Sequence, residues 1–331
     1  MWLMFFFSAA LIVTAGTLLT KNAEKISKGF NLSTVWAGAL LLPLATSLPE
    51  LVTSYRAAII RAPDLAGGNI YGSIIFNLTL IGLIDMVQGR GPLKARRKKS
   101  LILTALLSIT VIILSMLGVI LALPYRIGWV GIDSISILIA YLVGSKIIIG
   151  FENKSQNRDR HGQKTRTAPA VSKTKEFYHA LALFSFAAVI IIIAGTNLTD
   201  AADLISSETG LNRTLVGSIF IAVTTSLPEL VTTMTAVRLG YVEMAIANVF
   251  GANLFNILIF FFTDLFYSPG PLFNDLSPQN LITALMGILL TTVVIFTLVY
   301  PSRRQFLRMG IPSFIIIFGY LLTFIFLFSF Q

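Results

Sequence analysis

The sequence predicts an all-α integral membrane protein whose ten transmembrane helices form two inverted five-helix repeats. Three observations predict it. The first is composition: of 331 residues, 55% are hydrophobic and 12% charged, with mean hydropathy +0.82. A soluble domain carries about 25% charge. The second is the presence of long, continuously apolar stretches. A helix needs about 20 such residues to cross a hydrocarbon core of about 30 Å, and the runs lack the period-two alternation of a membrane β-barrel. The third is duplication. T-S-L-P-E-L-V-T occurs at Thr46–Thr53 and again at Thr225–Thr232, an offset of 179 residues.

That offset extends well beyond the string. Ala15–Thr17 returns as Ala194–Thr196, Leu19-Thr20 as Leu198-Thr199, and Ile26-Ser27 as Ile205-Ser206. Asn69 returns as Asn248, Gly72 as Gly251, Phe76-Asn77 as Phe255-Asn256, and Asp85 as Asp264. Seventy residues in constant register describe one unit copied once.

Taken in order, the apolar segments fall near residues 2–20, 33–60, 63–87, 100–122, 127–150, 177–198, 212–239, 242–266, 280–299 and 310–330. The first resembles the apolar region of a signal peptide. Its A-G-T ending recurs after the internal run Leu181–Ile193, so it reads as a retained helix. The second and seventh segments carry the duplicated string, and the third and eighth carry Asn and Gly positions. Residues 1–150 thus form the first repeat, with its duplicated core at 33–85. Residues 177–331 form the second, with its core at 212–264. Residues 151–176 are a polar linker too short for a domain and expected to be flexible.

Orientation follows from Lys and Arg, which favour cytoplasmic loops. The loops after segments 1, 3, 5, 7 and 9 hold 20 of the 25 cations. The linker is therefore expected in the cytoplasm and both termini outside the cell, in a multi-pass cell-membrane protein. The net charge of +10 reads as a topology signal and lipid-headgroup contact, not as a nucleic-acid surface. Because five segments is an odd number, the second copy enters the membrane from the opposite side. Inverted repeats place a transport site near the midplane.

Glu50 and Glu229 are the residues to explain. A mid-bilayer carboxylate is costly unless paired, hydrated or neutralised, and no Lys or Arg lies within five residues of either. Thr46 and Ser47 precede Glu50 by four and three residues, as Thr225 and Ser226 precede Glu229, which places them on one helix face. Pro49 and Pro228 lack an N–H and disturb the preceding turn, freeing the carbonyls of Ala45 and Thr224. Irregular backbone at membrane depth is tolerated only where protein or a water-filled cavity satisfies it. In the next segment Asn69, Ser73 and Asn77 recur every four residues; the second copy reads Asn248, Ala252 and Asn256. Asp85 and Asp264 read as interfacial carboxylates. Such an oxygen-rich set suits Ca²⁺, Na⁺ or Mg²⁺, and with no cysteine and two histidines softer metals are disfavoured. Two carboxylates can balance one divalent cation, two monovalent cations or two protons, which is a basis for antiport.

The paired strings, each followed by G-x-x-x-F-N, resemble the α-repeats of the sodium/calcium exchanger family, within the Ca²⁺/cation antiporter superfamily. The resemblance spans nearly the whole chain and implies that family's ten-helix fold, in a compact prokaryotic-type member without a large regulatory loop. It implies Ca²⁺/Na⁺ exchange by alternating access, with helices 1 and 6 rocking past a fixed core. By match, Glu50 and Glu229 are shared by Ca²⁺ and Na⁺, Thr46 and Thr225 offer carbonyls, and Ser47 and Ser226 offer hydroxyls. Ser73 and Asn77 are the polar positions of the following helix, with Asn256 at the counterpart of Asn77, and Ala222 matches a further carbonyl position. The chain departs from the family at Ala252, where a serine is usual, at Asn256, where many members have aspartate, and at Pro43, where a small residue is usual. H⁺ therefore stands beside Na⁺ as counter-ion. A passive cation channel lined by the two glutamates is the rival reading. With His161 and His179 the only histidines and no H-E-x-x-H string, the chain is not expected to be an enzyme or to hold a cofactor.

Overall fold

The protein is described here from a computed structural model, covering residues 1–29, 42–88, 99–159, 175–240, 242–300, 305–306 and 309–329. Eight helices among these are long and apolar enough to cross a membrane, or nine if one bent pair counts as a span. In chain order they begin with α1 (Trp2–Gly29), the short α2 (Leu42–Thr46) and α3 (Leu48–Ile59). Then come α4 (Pro63–Gln88), α5 (Lys99–Leu121), a hairpin of β1 (Arg126–Ile127) and β2 (Val130–Gly131), and α6 (Ile132–Asp159). The second half opens with α7 (Lys175–Thr209) and the short α8 (Arg213–Val216). A π-helical turn (Gly217–Ile221) leads to α9 (Ala222–Thr225), α10 (Leu227–Arg238) and α11 (Val242–Phe266). A 3₁₀ turn (Leu272–Asp275), α12 (Gln279–Val299), a second hairpin of β3 (Gln305–Phe306) and β4 (Met309–Gly310), and α13 (Ile311–Ser329) complete the chain.

The sequence segments map onto these helices with differences in extent; α1, for example, runs to Gly29, past the expected end at residue 20. Residues 33–41 of the second segment lie outside the described residues. α6 continues through Asp159, nine residues into the expected flexible linker, where Glu152–Asp159 contains no Gly or Pro to stop it; residues 160–174 lie outside the description. α7 runs 35 residues rather than the expected 22, since no breaker stands between Thr196 and Gly210. It stops where Gly210 takes a left-handed φ of 76°.

α4 and α11 form the centre: 89% and 78% of their spans are buried, against 11–39% for the other single-helix spans. They carry the Asn-rich stripes. The outer helices cross between the halves. Gly16 on α1 lies against the Pro228 ring, where an added Cβ would stand 2.5 Å from Cγ, and Gly195 on α7 lies against Val52. The duplicated A-G-T motif is thus a pair of thin spots, each letting an outer helix approach the opposite copy's broken helix.

Asp85 and Asp264 stand near the ends of α4 and α11, where the sequence puts them, and both are buried in the protein. Asp264 accepts the N–H groups of Gly131 at 2.8 Å and Leu272 at 2.7 Å. Asp85 accepts the Gly310 N–H at 2.7 Å and the Ser313 hydroxyl at 2.8 Å. Gly131 and Gly310 are themselves 179 residues apart. Each aspartate therefore secures the hairpin leading into the last helix of the other half. Charge-assisted bonds to backbone N–H groups offset the desolvation of these carboxylates.

Candidate functional site

The duplicated strings break their helices identically. Ser47 sits between α2 and α3 with φ −88° and ψ 11°, and Ser226 between α9 and α10 with φ −88° and ψ 5°. Pro49 and Pro228 stand in the first turn of the helix that follows, where a missing N–H costs little. The prolines thus mark helix starts rather than kinks inside continuous helices. Backbone bonding across the first break runs from Ser47 N–H to the Pro43 carbonyl and from Leu51 N–H to that of Ser47; Ser226 to Ala222 and Leu230 to Ser226 repeat it. In the second copy the axis bends by 44°.

Glu50 and Glu229 occupy the first turns of α3 and α10 and are fully buried. Among the described residues no Lys or Arg is hydrogen-bonded to either. What holds them is crossed. Ser226 donates to Glu50 Oε1 at 2.8 Å, and Ser47 donates to Glu229 Oε1 at 3.1 Å. The helix spacing placed each serine beside its own glutamate; the fold gives it to the other copy's glutamate instead. The break turns each serine hydroxyl away from its own helix face and across the contact between the halves. Ser73 and Thr225 lie beside the Glu50 carboxylate, and Thr46 beside that of Glu229.

Each carboxylate keeps one buried oxygen, Oε2, without a hydrogen-bond partner. So do the Ser73 hydroxyl and both amide atoms of Asn77 and of Asn256. Buried polar atoms are nearly always partnered, so these unpartnered atoms on α3, α4, α10 and α11 are candidates to meet something polar. Among the described residues no three His, Cys, Asp or Glu side chains cluster; the oxygens other than the carboxylate pair are neutral.

Other predicted positions are already engaged. The Thr46 hydroxyl donates to the Pro43 carbonyl at 3.2 Å. The Thr225 hydroxyl has three acceptors within reach of its one proton, the carbonyls of Ile221 and Ala222 and Asn69 Oδ1, at 3.1, 3.3 and 3.2 Å. The Ala222 carbonyl also accepts the Ser226 N–H. Asn69, seen in the sequence only as part of a stripe, is a hub. Its Nδ2 donates to the Glu50 carbonyl and to the hydroxyls of Thr53 and Ser54. Asn253, absent from the sequence reading, donates to the Ile74 carbonyl at 3.3 Å. It has an Ile at its repeat counterpart, so the duplication could not flag it.

The site is assembled by two thin crossings. An added Cβ on Gly68 would lie 2.5 Å from the Thr214 carbonyl oxygen, and one on Gly217 would lie 2.6 Å from that of Leu65. α4 and the π-helical turn therefore meet backbone to backbone just ahead of Asn69.

Comparison with known proteins gives a consistent picture. A family model described as sodium/calcium exchanger protein matches residues 1–147 and 179–327. The sodium/calcium exchanger MaX1 of Methanosarcina acetivorans is 27% identical over 282 residues, covering 77% of this chain and 80% of that one. Among solved structures, the sodium-calcium exchanger NCX_Mj superposes with TM-score 0.60 at 21% identity, covering 98% of this chain and 97% of the other. The H⁺/Ca²⁺ exchanger CAX superposes with TM-score 0.67 at 12% identity, covering 99% and 87%. At such identities the two structures establish likeness of fold.

Proposed function

We propose that this chain, which belongs to the sodium/calcium exchanger protein family, is a secondary active antiporter that exchanges Ca²⁺ for Na⁺ by alternating access. Its carrying observation is the crossed pair: each buried carboxylate is held through Oε1 by the other half's serine and keeps Oε2 unpartnered. Ca²⁺ takes six to eight oxygens at roughly 2.3–2.6 Å. Glu50 and Glu229 supply the charged ones. Ser73, Asn77 and Asn256 supply neutral contacts, and the broken backbone at Thr46, Thr225 and Ala222 supplies carbonyls at half-helix ends, where transporters coordinate cations. Ser47 and Ser226 orient the glutamates and offer their own oxygens to a smaller ion. Two negative charges neutralise one Ca²⁺ or the monovalent ions that replace it. Both loads cannot be held at once, and that exclusion is what couples their movements.

H⁺ is the alternative counter-ion. Asn256 leaves the site with two carboxylates, Ala252 removes a hydroxyl, and the fold also resembles that of the H⁺/Ca²⁺ exchanger CAX. Ca²⁺ flux into proteoliposomes decides the matter. Uptake is expected only against an opposing gradient, and the gradient that drives it, Na⁺ or H⁺, identifies the counter-ion. Uptake that follows membrane voltage with neither gradient present would mean a passive channel.

The architecture that serves this function is ten membrane helices in two inverted five-helix repeats, residues 1–150 and 177–331. α1 and α7 move along a core built from the two broken helices and α4 and α11. In the cell membrane both termini face outward and residues 151–176 face the cytoplasm, with the basic loops against lipid headgroups. The chain has no cysteine, so a single cysteine placed in the linker reports sidedness directly. It should resist a membrane-impermeant maleimide in intact cells and react after permeabilisation; reaction in intact cells would invert the topology.

A further inference from the structure

The two halves share their site residues but not their bonds. Asn69 Oδ1 accepts the Thr225 hydroxyl, and its Nδ2 has three acceptors on α3. Its counterpart Asn248 donates to the Thr233 hydroxyl at 3.2 Å, while its buried Oδ1 has no partner. The residue that would complete the symmetric bond is Thr46; its hydroxyl meets the Pro43 carbonyl, as that of Thr225 meets the matching Ala222 carbonyl, but among the described residues it does not reach Asn248 Oδ1. The outer helices show the same imbalance. The Thr199 hydroxyl on α7 donates to the Thr53 carbonyl on α3 at 3.2 Å. Its counterpart Thr20 on α1 is buried with its hydroxyl unpartnered.

Identical residues in matching registers make bonds in one half and leave atoms unmet in the other. The bonding side chains are the same in both copies, although Pro43 stands where the second copy has Ala222, and the outer helices are seated differently against them. α7 is bonded to α3, whereas α1 lacks the equivalent bond to α10. One further contact joins α7 to α3: Arg56 grips Asp200 through two bonds of 2.7 and 2.8 Å. It has no counterpart at all, since the matching positions are Thr235 and Lys21.

Resting on the antiport reading above, we infer that Asn69 with Thr199, and Asn248 with Thr20, are positioning residues that make and release matching bonds in turn as the carrier changes the side it faces. The Arg56–Asp200 pair is a one-sided latch favouring the state described here. In the opposite state Asn248 Oδ1 accepts the Thr46 hydroxyl, and the Thr20 hydroxyl reaches the Thr232 carbonyl. Asn69 and Thr199 then give up their partners. Asp200 lies 25 residues along α7 from Lys175, about 37 Å at 1.5 Å per residue. The latch therefore closes the membrane face away from the linker. Because Arg56 and Asp200 are each about 29% exposed, the latch biases the equilibrium without freezing it.

The test measures two distances by double electron–electron resonance in the purified full chain. One spin-label pair at Ile59 and Leu204 reports α3 against α7; another at Lys21 and Leu239 reports α1 against α10. Arg56→Gln, on a partly exposed site, is expected to lower the ratio of docked to undocked α7 by about two- to fivefold and to shorten the second distance. Combining Arg56→Asp with Asp200→Arg should restore the parent ratio. Thr20→Val should move both distances the other way, since it removes a hydroxyl that is unpartnered in the state described here and bonded only in the opposite one. Unchanged distances in all variants, or Arg56→Gln and Thr20→Val moving them in the same direction, would overturn the inference. If the parent shows gradient-driven Ca²⁺ uptake while these distances stay fixed, the inference falls alone. If the parent shows no such uptake, the antiport reading falls and takes the inference with it.

Discussion

Replacing either Glu50 or Glu229 with glutamine is expected to cut Ca²⁺ transport by about a hundredfold or more. Glutamine keeps the size of the side chain and an oxygen for the crossed serine. Ser226 can still donate at position 50 and Ser47 at position 229. What is lost is one of two negative charges in a site where among the described residues no Lys or Arg is hydrogen-bonded to either carboxylate. One carboxylate leaves Ca²⁺ with a net positive charge in a buried site. Removing one partner of a buried ion pair costs about 3–5 kcal/mol, and each 1.4 kcal/mol is about tenfold in affinity. Radioactive Ca²⁺ uptake by reconstituted variants measures the loss, and a single symmetric elution peak in detergent checks that the fold persists. In the parent, Ca²⁺ affinity should fall as pH falls, because protons occupy the same oxygens. Asn256→Asp adds a carboxylate and should change ion dependence instead of abolishing binding. If either glutamine variant kept most of its transport, the ion would have to bind elsewhere.

Gly68→Ala should be nearly as damaging, from a position that carries no polar group. The new methyl would stand 2.5 Å from the Thr214 carbonyl oxygen and 2.9 Å from the Ser218 nitrogen. Both obstacles are backbone, so no side-chain rotation relieves them. Forcing extra volume into a packed interior costs about 1–3 kcal/mol. Here it would also push the π-helical turn away from α4, next to the Asn69–Thr225 bond that spans the halves. A lower melting temperature with a large loss of Ca²⁺ affinity is expected. Gly287→Ala is the matched control on α12: its methyl would meet the side chains of Ile74, Ile112 and Ile75 at 3.4, 3.8 and 3.9 Å, ordinary contact distances, and alanine favours helix over glycine. It should leave both quantities near the parent values. Equal tolerance of the two alanines would mean that the close crossing does not set the site.

Much of this was legible in the chain. Apolar run lengths, the 179-residue offset, the prolines and the two glutamates are properties of local sequence, and the membrane makes them decisive. A bilayer admits only helices or closed barrels, and it makes an unpaired carboxylate too costly to keep without a use. Those constraints hold before any tertiary contact forms, so the spans, the duplication, the helix breaks and the central carboxylates could be read directly. The family likeness then followed from the same strings.

The tertiary structure decided how the halves meet. Ser47 serves Glu229 rather than Glu50, Asp264 holds Gly131, Asp85 holds Gly310, and Arg56 holds Asp200. These partners lie between 133 and 225 residues apart, so no local period can pair them. Their meeting depends on two copies interlocking instead of folding side by side. The asymmetry between Asn69 and Asn248 lay further out of reach. The asparagines and their threonine partners are the same in both copies, so the residues themselves do not mark which asparagine is bonded on both sides. In the structure that difference goes with the seating of the outer helices: Thr199 on α7 is bonded to α3, and among the described residues Thr20 on α1 is unpartnered.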